Sequence, residues 1–330
     1  MIYTDHSRTD TDSTCPRARY YGYEFEGRGL SPVEPQKELE FGLGVAYLAE
    51  RIRIGENLSP IAESNAEVLQ KGLALAYQQQ IWPRWVKDFE LLGTELECQL
   101  DLGSNIIYMA RPDAVVRRRS DGTVWVLSDK TTSLQNDHFV RIWDKAAQNH
   151  AECVAVEKLL DVKVSGFYTQ GWAKGYEKND TIYSPLCYGW RKDGTVGLTK
   201  DQWSATYKAG WTRARIDSYY GGIVGWVNSL PVELVGQQFP LAGPILLRRD
   251  LVEEYLTQVR LRETEIQGTF NPSPLTFPKR FSQCDEFGKY RRPCQFRDCC
   301  WSPTVGRDPV GSGLYTFRWP HHKPELEAIT

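Results

Sequence analysis

Residues 110–133 read ARPDAVVRRRSDGTVWVLSDKTTS. Two segments rich in β-branched and alternating residues flank Ser120-Asp121-Gly122, which has the composition of a tight turn. The stretch therefore predicts an antiparallel hairpin, with one strand over Ile106 to Arg117 and the other over Thr123 to Lys130. The first strand carries Arg111-Pro112-Asp113, and the second ends at Lys130, followed by Thr131-Thr132-Ser133. A carboxylate beside a lysine at the ends of adjacent strands can present one divalent cation and one positive charge to a phosphodiester. Strand alternation puts Ser128 and Lys130 on one face and Asp129 on the other.

Outward from the hairpin, the apolar period changes. Lys37 to Ile54 suits an amphipathic helix with Phe41, Val45, Leu48 and Ile52 on one side. Ser59-Pro60 has the form of a cap and first-turn proline, a second helix follows through residues 64–80, and a third starts near Pro83. Glu95 to Asp101 alternates as a strand does. After the hairpin, a helix is expected from Asp137 to Leu160, then strands over Val162–Gln170 and Ile182–Arg191. A helix opening at Thr199 and a last one over Asp250–Ile266 follow. Helices, strands, helix, strands and helices make an α/β or α+β core with a helical elaboration. The expected division is an N-terminal segment over 1–92, a core over 93–200 and a C-terminal helical region over 201–330.

Composition narrows the function classes. The chain has 330 residues, with 40 Lys+Arg against 42 Asp+Glu, a net charge of −2. Such a balance excludes a chain that coats anionic polymers all over, though a local basic groove is compatible with it. At 41% hydrophobic and 25% charged residues, bulk disorder is excluded. The most apolar stretch, Gly221 to Leu247, is cut by Asn228, Pro231, Glu233, Gln237, Gln238, Pro240 and Pro244, so no membrane span is expected. The N-terminus is polar and has no apolar signal stretch, which points to a cytoplasmic protein.

In a reducing compartment clustered cysteines bind metal more often than they pair. Cys98, Cys153 and Cys187 lie in apolar or strand-like surroundings and read as small buried hydrophobes. Cys284, Cys294, Cys299 and Cys300 crowd together among Pro, Gly and charged residues. A site shared by these and Cys15 would staple the two ends of the chain together and close a very long loop. Four thiolates suit either zinc or a [4Fe–4S] cluster.

Taken with their flanks, these motifs resemble the PD-(D/E)XK nuclease superfamily, in particular the RecB-like nucleases with an iron–sulfur cluster, which include CRISPR-associated exonucleases and phage or prophage relatives. The resemblance runs across nearly the whole chain. Ser13-Thr14-Cys15-Pro16-Arg17 with Tyr20-Tyr21 is similar to the family's first cluster cysteine, and Gly42 to Glu50 sits where the family has its helix-borne histidine. Pro112-Asp113 and Lys130-Thr131-Thr132 resemble the metal-binding aspartate and catalytic lysine, and Gln148 the glutamine of the following helix. Cys284, Cys294 and Cys300 resemble the closing cysteine triplet, with Cys299 a bystander. Even 184–194, SPLCYGWRKDG, is similar to phage members, and Lys174 matches a recurrent family position.

The resemblance implies a restriction-endonuclease-like core, a mixed sheet flanked by helices, with a [4Fe–4S] clip joining the N- and C-terminal segments. It implies a nuclease dependent on Mg²⁺ or Mn²⁺, expected to be an exonuclease of DNA recombination, repair or phage DNA processing. Single-stranded DNA or DNA ends are the implied substrate, and a recombination or replication protein an implied partner.

The chain departs from the family at three positions. Ser128 stands where the acid two residues before the lysine belongs, Ala46 where the histidine belongs, and Glu152 where a tyrosine belongs. Gln148 and Glu152 are four apart on one helix face, so Glu152 is a candidate for the missing carboxylate beside Asp113, with Glu97 a second. His138 and His150 flank the expected site. Arg17, Arg19, Tyr20 and Tyr21 mix cations with stacking rings, and Arg291 and Arg292 lie inside the cysteine loop. These six are the expected DNA contacts. The alternative is a catalytically inactive member that binds DNA or a protein partner.

Overall fold

The computed structural model describes residues 1–34, 37–56, 68–132, 137–174, 176–178, 181–183, 218, 221–230, 232–268, 272–285, 293–320 and 322–327. Ser59-Pro60, Cys187, the segment 184–191 and the helix expected from Thr199 lie outside them. The strands are β1 Ile2–Thr4, β2 Leu30–Pro32, β3 Phe89–Thr94, β4 Cys98–Gly103, β5 Ile106–Ala110, β6 Ala114–Arg118, β7 Val124–Thr132, β8 Val164–Ala173, β9 Tyr176–Lys178, β10 Thr181–Tyr183, β11 Leu241–Leu246 and β12 Tyr315–Phe317. The protein is a mixed α/β structure with mixed sheets flanked by helices. Its two compact units are Glu38–Leu96 with Arg111–Arg249, and Met1–Lys37 with Glu97–Ala110 and Asp250–Thr330.

The expected strand over Ile106–Arg117 is broken. β5 ends at Ala110 and β6 begins at Ala114, and the two enter different sheets. Pro112 lies in the gap. It has no N–H for a ladder and restrains the residue before it, so the chain leaves one sheet there and enters another. Asp113 thus stands at the mouth of β6 rather than within a continuous strand.

In the first unit a five-stranded sheet runs in the order β11-β8-β7-β6-β3. β6 and β7 form the hairpin, with Ala114 opposite Leu127 and Arg117 opposite Val124. β7 and β8 are parallel, which requires a crossover, supplied by the helix Ala147–Leu160. The single helix expected from Asp137 arrives instead in two pieces, Asp137–Arg141 and Ala147–Leu160. His150 accounts for the late restart: its Nε2–H donates to the Asp144 carbonyl outside the helix at 3.1 Å, and its Nδ1 accepts the Arg248 N–H at 3.2 Å.

Alternation along β7 and β8 assigns their two faces. Trp125, Leu127, Tyr168 and Trp172 join one buried cluster with Phe41, Val45, Leu48, Ile52, Leu73, Tyr77 and Trp85 from the helices Lys37–Arg53, Val68–Ala76 and Trp82–Asp88 and the π-helical turn Tyr77–Ile81. On the opposite face Phe167 packs edge-on against His150 of the crossover helix at 4.9 Å. Ser128, Lys130 and Thr169 share that second face by register.

The second unit holds the sheet β1-β5-β4 and the pair β12-β2. Its first helix, His6–Thr14, has no apolar stripe for a periodicity reading to detect. A cap sets it: the Asp5 carboxylate accepts the Arg8 N–H at 2.7 Å. Buried ions then tie distant segments together. Glu263, on the helix Arg249–Gln267, accepts from the Thr4 hydroxyl at 2.6 Å and from two Arg19 nitrogens at 3.1 and 2.9 Å. Arg262 grips Asp12 through two bonds of 2.7 and 3.0 Å.

Removing one partner of a buried pair strands the other charge. Glu263→Ala is therefore expected to cost roughly 3–5 kcal/mol of stability, read as a lower urea midpoint, while Arg19→Met with Glu263→Leu costs less than the single change. A Glu263→Ala protein that unfolds at the wild-type urea concentration would refute this role for the pair.

Candidate active site

Asp113, Lys130, Gln148 and Glu152 converge in the first unit. Continuing the Ala114–Leu127 register by one step sets Asp113 across from Ser128, and Ser128 is in turn registered with Thr169. The Asp113 carboxylate accepts the backbone N–H of Asp129 at 2.7 Å. Glu152 is buried on the crossover helix, and its Oε1 accepts from Gln148 Nε2 at 2.8 Å. Lys130 and Asp113 are both close enough to act on Glu152.

Asp129 is turned the other way. Its carboxylate pairs with Arg53 at 2.6 Å and accepts from the Trp172 indole at 3.0 Å, within the helical layer. Arg53 also donates to the Tyr77 hydroxyl at 3.1 Å. The carboxylate of Asp129 is thus paired with a guanidinium on the face opposite Ser128 and Lys130.

The acids here resist ionisation. Burial, then the charge of Asp129, raises Asp113 above the ordinary aspartate range, against the pull of Lys130, the Asp129 N–H and Arg53. Burial likewise raises Glu152 to about 7; Lys130 and the Gln148 hydrogen bond oppose this, and Asp113 adds to it. A third acid emerges that periodicity does not reveal. Glu95, just past β3, has a left-handed backbone (φ 48°) and pairs with Arg111 at 3.1 Å. Its amide donates to the Asp113 carbonyl at 3.4 Å. Burial, Asp113 and Glu50 lift it to about 7, while Arg111 and Arg53 pull the other way. Glu50 lies one helical turn beyond Ala46 on the helix Lys37–Arg53.

Several other expectations resolve. Glu97 belongs to the second unit, where its carboxylate accepts the Lys323 N–H at 3.1 Å, so it is not the spare acid of this site. His150 is engaged through both ring nitrogens, and the His138 side chain lies outside those described. Lys174 donates its backbone N–H to the Thr132 carbonyl at 2.7 Å, with its ammonium 5.4 Å from the Phe41 ring. The hydroxyls of Ser128 and Thr169 are buried and have no hydrogen-bond partner among the described residues.

In the second unit, Cys15, Cys284, Cys294 and Cys300 gather. The Cys294 thiol is acted on by Cys15, Cys300 and Cys284, and Cys300 by Cys284 and Cys15. The Cys294 N–H also donates to the Cys284 carbonyl at 2.9 Å. Cys299, on the helix Arg297–Trp301, engages Tyr315 and is also acted on by Cys300. Burial raises both Cys294 and Cys299 to about 12. The seven described cysteines are all free of disulfides. Among the described residues, no three His, Cys, Asp or Glu side chains stand close enough to hold a metal ion as they are, so ligation at either place needs side chains to close in.

Arg19, Tyr20 and Tyr21 are not surface contacts. They are 1%, 7% and 2% exposed: Arg19 is held by Glu263 and Glu24, and the two tyrosines pack with Phe277, Phe296 and Leu30. Arg17 is half-buried, with its Nε donating to the Phe277 carbonyl at 2.6 Å. Arg291 and Arg292 lie outside the described residues. No helix among the described residues is long and apolar enough to cross a membrane.

No known family model matches this chain, and no curated protein matches it.

The raised acid at 152 has a stability consequence with a definite sign. Between about pH 4.5 and 7 the folded state holds a proton on Glu152 that the unfolded chain releases, so this residue's contribution to stability falls as pH rises through that window. Glu152→Gln, melted in chelator, is expected to exceed wild type in Tm at pH 8 and to match it near pH 4. Parallel Tm–pH curves for the two proteins would contradict that.

Proposed function

We propose that this chain is a metal-dependent deoxyribonuclease with a restriction-endonuclease-like core, acting as an exonuclease on single-stranded DNA or DNA ends. One observation carries the reading: Asp113, Lys130 and Glu152 influence one another at the mouth of the β6–β7 hairpin, with Glu152 supplied by the crossover helix. Position 128 has no carboxylate, and Glu152 takes its place beside Asp113.

The residues fit a hard divalent cation. Asp113 and Glu152 offer oxygen donors whose charge Lys130 opposes, and Mg²⁺ needs only one or two protein carboxylates besides phosphate and water. When bound, Mg²⁺ or Mn²⁺ would polarise the scissile phosphate and lower the pKa of attacking water. Lys130 offsets the negative charge that builds on the phosphate in the transition state. Gln148 holds Glu152 in place through its amide, and the Asp129 N–H fixes the direction of Asp113. The commitment of Asp129 to Arg53 favours a second reading, a non-catalytic protein that binds DNA or a partner.

Cys15, Cys284, Cys294 and Cys300 fit a soft four-thiolate site, a [4Fe–4S] cluster with zinc as the alternative. Their thiols would release protons on ligation. Cys300→Ser should lower bound iron or zinc per chain, whereas Cys299→Ser should not. Equal metal content in both variants would break this assignment.

End-labelled DNA incubated with Mn²⁺ should be cut by wild type and not in chelator. Lys130→Ala and Glu152→Ala should each lose about 100-fold or more, the scale of removing one charge-stabilising group. Ser128→Asp should retain or raise activity. Wild-type protein that binds DNA and never cuts it establishes the non-catalytic reading instead.

A further inference from the structure

Two large rings in the second unit remain open to solvent. Phe281 and Trp301 are 67% and 55% exposed, and their centroids lie 6.0 Å apart in an edge-to-face arrangement. Lys279 joins them: its ammonium sits 4.8 Å from the Trp301 ring and donates to the Cys300 carbonyl at 2.8 Å. That anchor holds a cation beside the rings instead of leaving it on a free stem. Arg280 is exposed next in the chain, and Arg17 acts on Cys300 from the same side chain environment as Lys279. Arg297 is paired with Asp285 at 3.1 Å, so among the described residues Lys279, Arg280 and Arg17 outnumber the acid beside Cys299, Asp298.

We propose that Phe281 and Trp301, with Lys279 and Arg280, form a binding surface for the unpaired nucleotides of a single strand. Bases stack on the two rings, and phosphates meet the cations. The cations favour this polyanion over an apolar protein face. A duplex fits poorly because its bases already stack on one another and turn their faces inward. This rests on the nucleic-acid reading of the chain. It moves the stacking rings from Tyr20 and Tyr21, which are core, to a pair that solvent reaches.

The test uses the full chain in chelator, so that nothing is cut. Fluorescence anisotropy compares a labelled oligothymidylate with a blunt hairpin duplex, for wild type and for Phe281→Ala/Trp301→Ala. Stacking is worth about 1–3 kcal/mol per base, so the double variant should bind the single strand about tenfold or more weakly. Its duplex affinity should be unchanged, and Trp301→Phe should keep most of the wild-type affinity. Wild-type protein photocrosslinked to iodouracil-substituted oligonucleotide should carry the label at 281 or 301, a readout independent of how well any variant folds. Wild type that cuts DNA in Mn²⁺, with unchanged single-strand affinity in the double variant or crosslinks elsewhere, overturns this surface alone. Wild type that neither binds nor cuts DNA overturns the nuclease reading as well.

Discussion

Asp129 divides its work between two parts of one residue. Its carboxylate is buried against Arg53 and the Trp172 indole, while its backbone N–H holds the Asp113 carboxylate. Strand side chains alternate, so locking Asp129 into the helical layer sends Ser128 and Lys130 to the opposite face, the face of the crossover helix. A buried ion pair offsets its desolvation only when its other polar atoms are well placed. The Tyr77 hydroxyl beside Arg53 and the indole beside Asp129 meet part of that need. The register of β7, the docking of the helix Lys37–Arg53 and the aim of Asp113 therefore meet in one residue.

The two units use buried charge differently. In the second, Arg19 and Glu263 are matched, with Thr4 and Glu24 adding to their hydrogen bonds. In the first, Asp113, Glu152 and Glu95 are all pushed above their ordinary ranges, because burial and mutual repulsion exceed the pull of Lys130, Arg111 and Arg53. Matched charge is what a fold uses to hold itself together. Acids left short of countercharge weaken a fold, and added positive charge would relieve them.

The hairpin, the helix Lys37–Arg53 and the helix Arg249–Gln267 were legible because period and turn chemistry are local. Asp113, Lys130, Gln148 and Glu152 were singled out by a motif resemblance, because a spacing of one carboxylate and one lysine on a strand pair is by itself too common to mark a site. The break at Pro112 was readable in principle, since proline cannot donate to a ladder, yet the apolar run on both sides masked it. Glu95 gave no signal at all: it sits at a positive-φ corner between strands, and its meaning comes from Asp113 and Glu50, far away in sequence. Tyr20 and Tyr21 misled for a similar reason. A run of cations and rings looks solvent-facing until Arg19 meets Glu263, 244 positions on, and takes its neighbours into the core.

The rung Asp113–Ser128–Thr169 ties these points together. Two buried hydroxyls lie side by side without a partner among the described residues, each costing about 1–3 kcal/mol when left so. Folds rarely tolerate such a pair without a reason. Here it lies on the face where Lys130 and Glu152 meet, in the row that begins with Asp113. An aspartate at 128 would replace an orphan hydroxyl with a second carboxylate directly beside the first, and would raise Asp113 further unless a cation arrived with it. Serine keeps the rung polar but uncharged. The second carboxylate then approaches from the crossover helix, where Gln148 can steady it and Lys130 can partly neutralise it. Ser128 on the strand and Glu152 on the crossover helix are thus parts of one electrostatic arrangement.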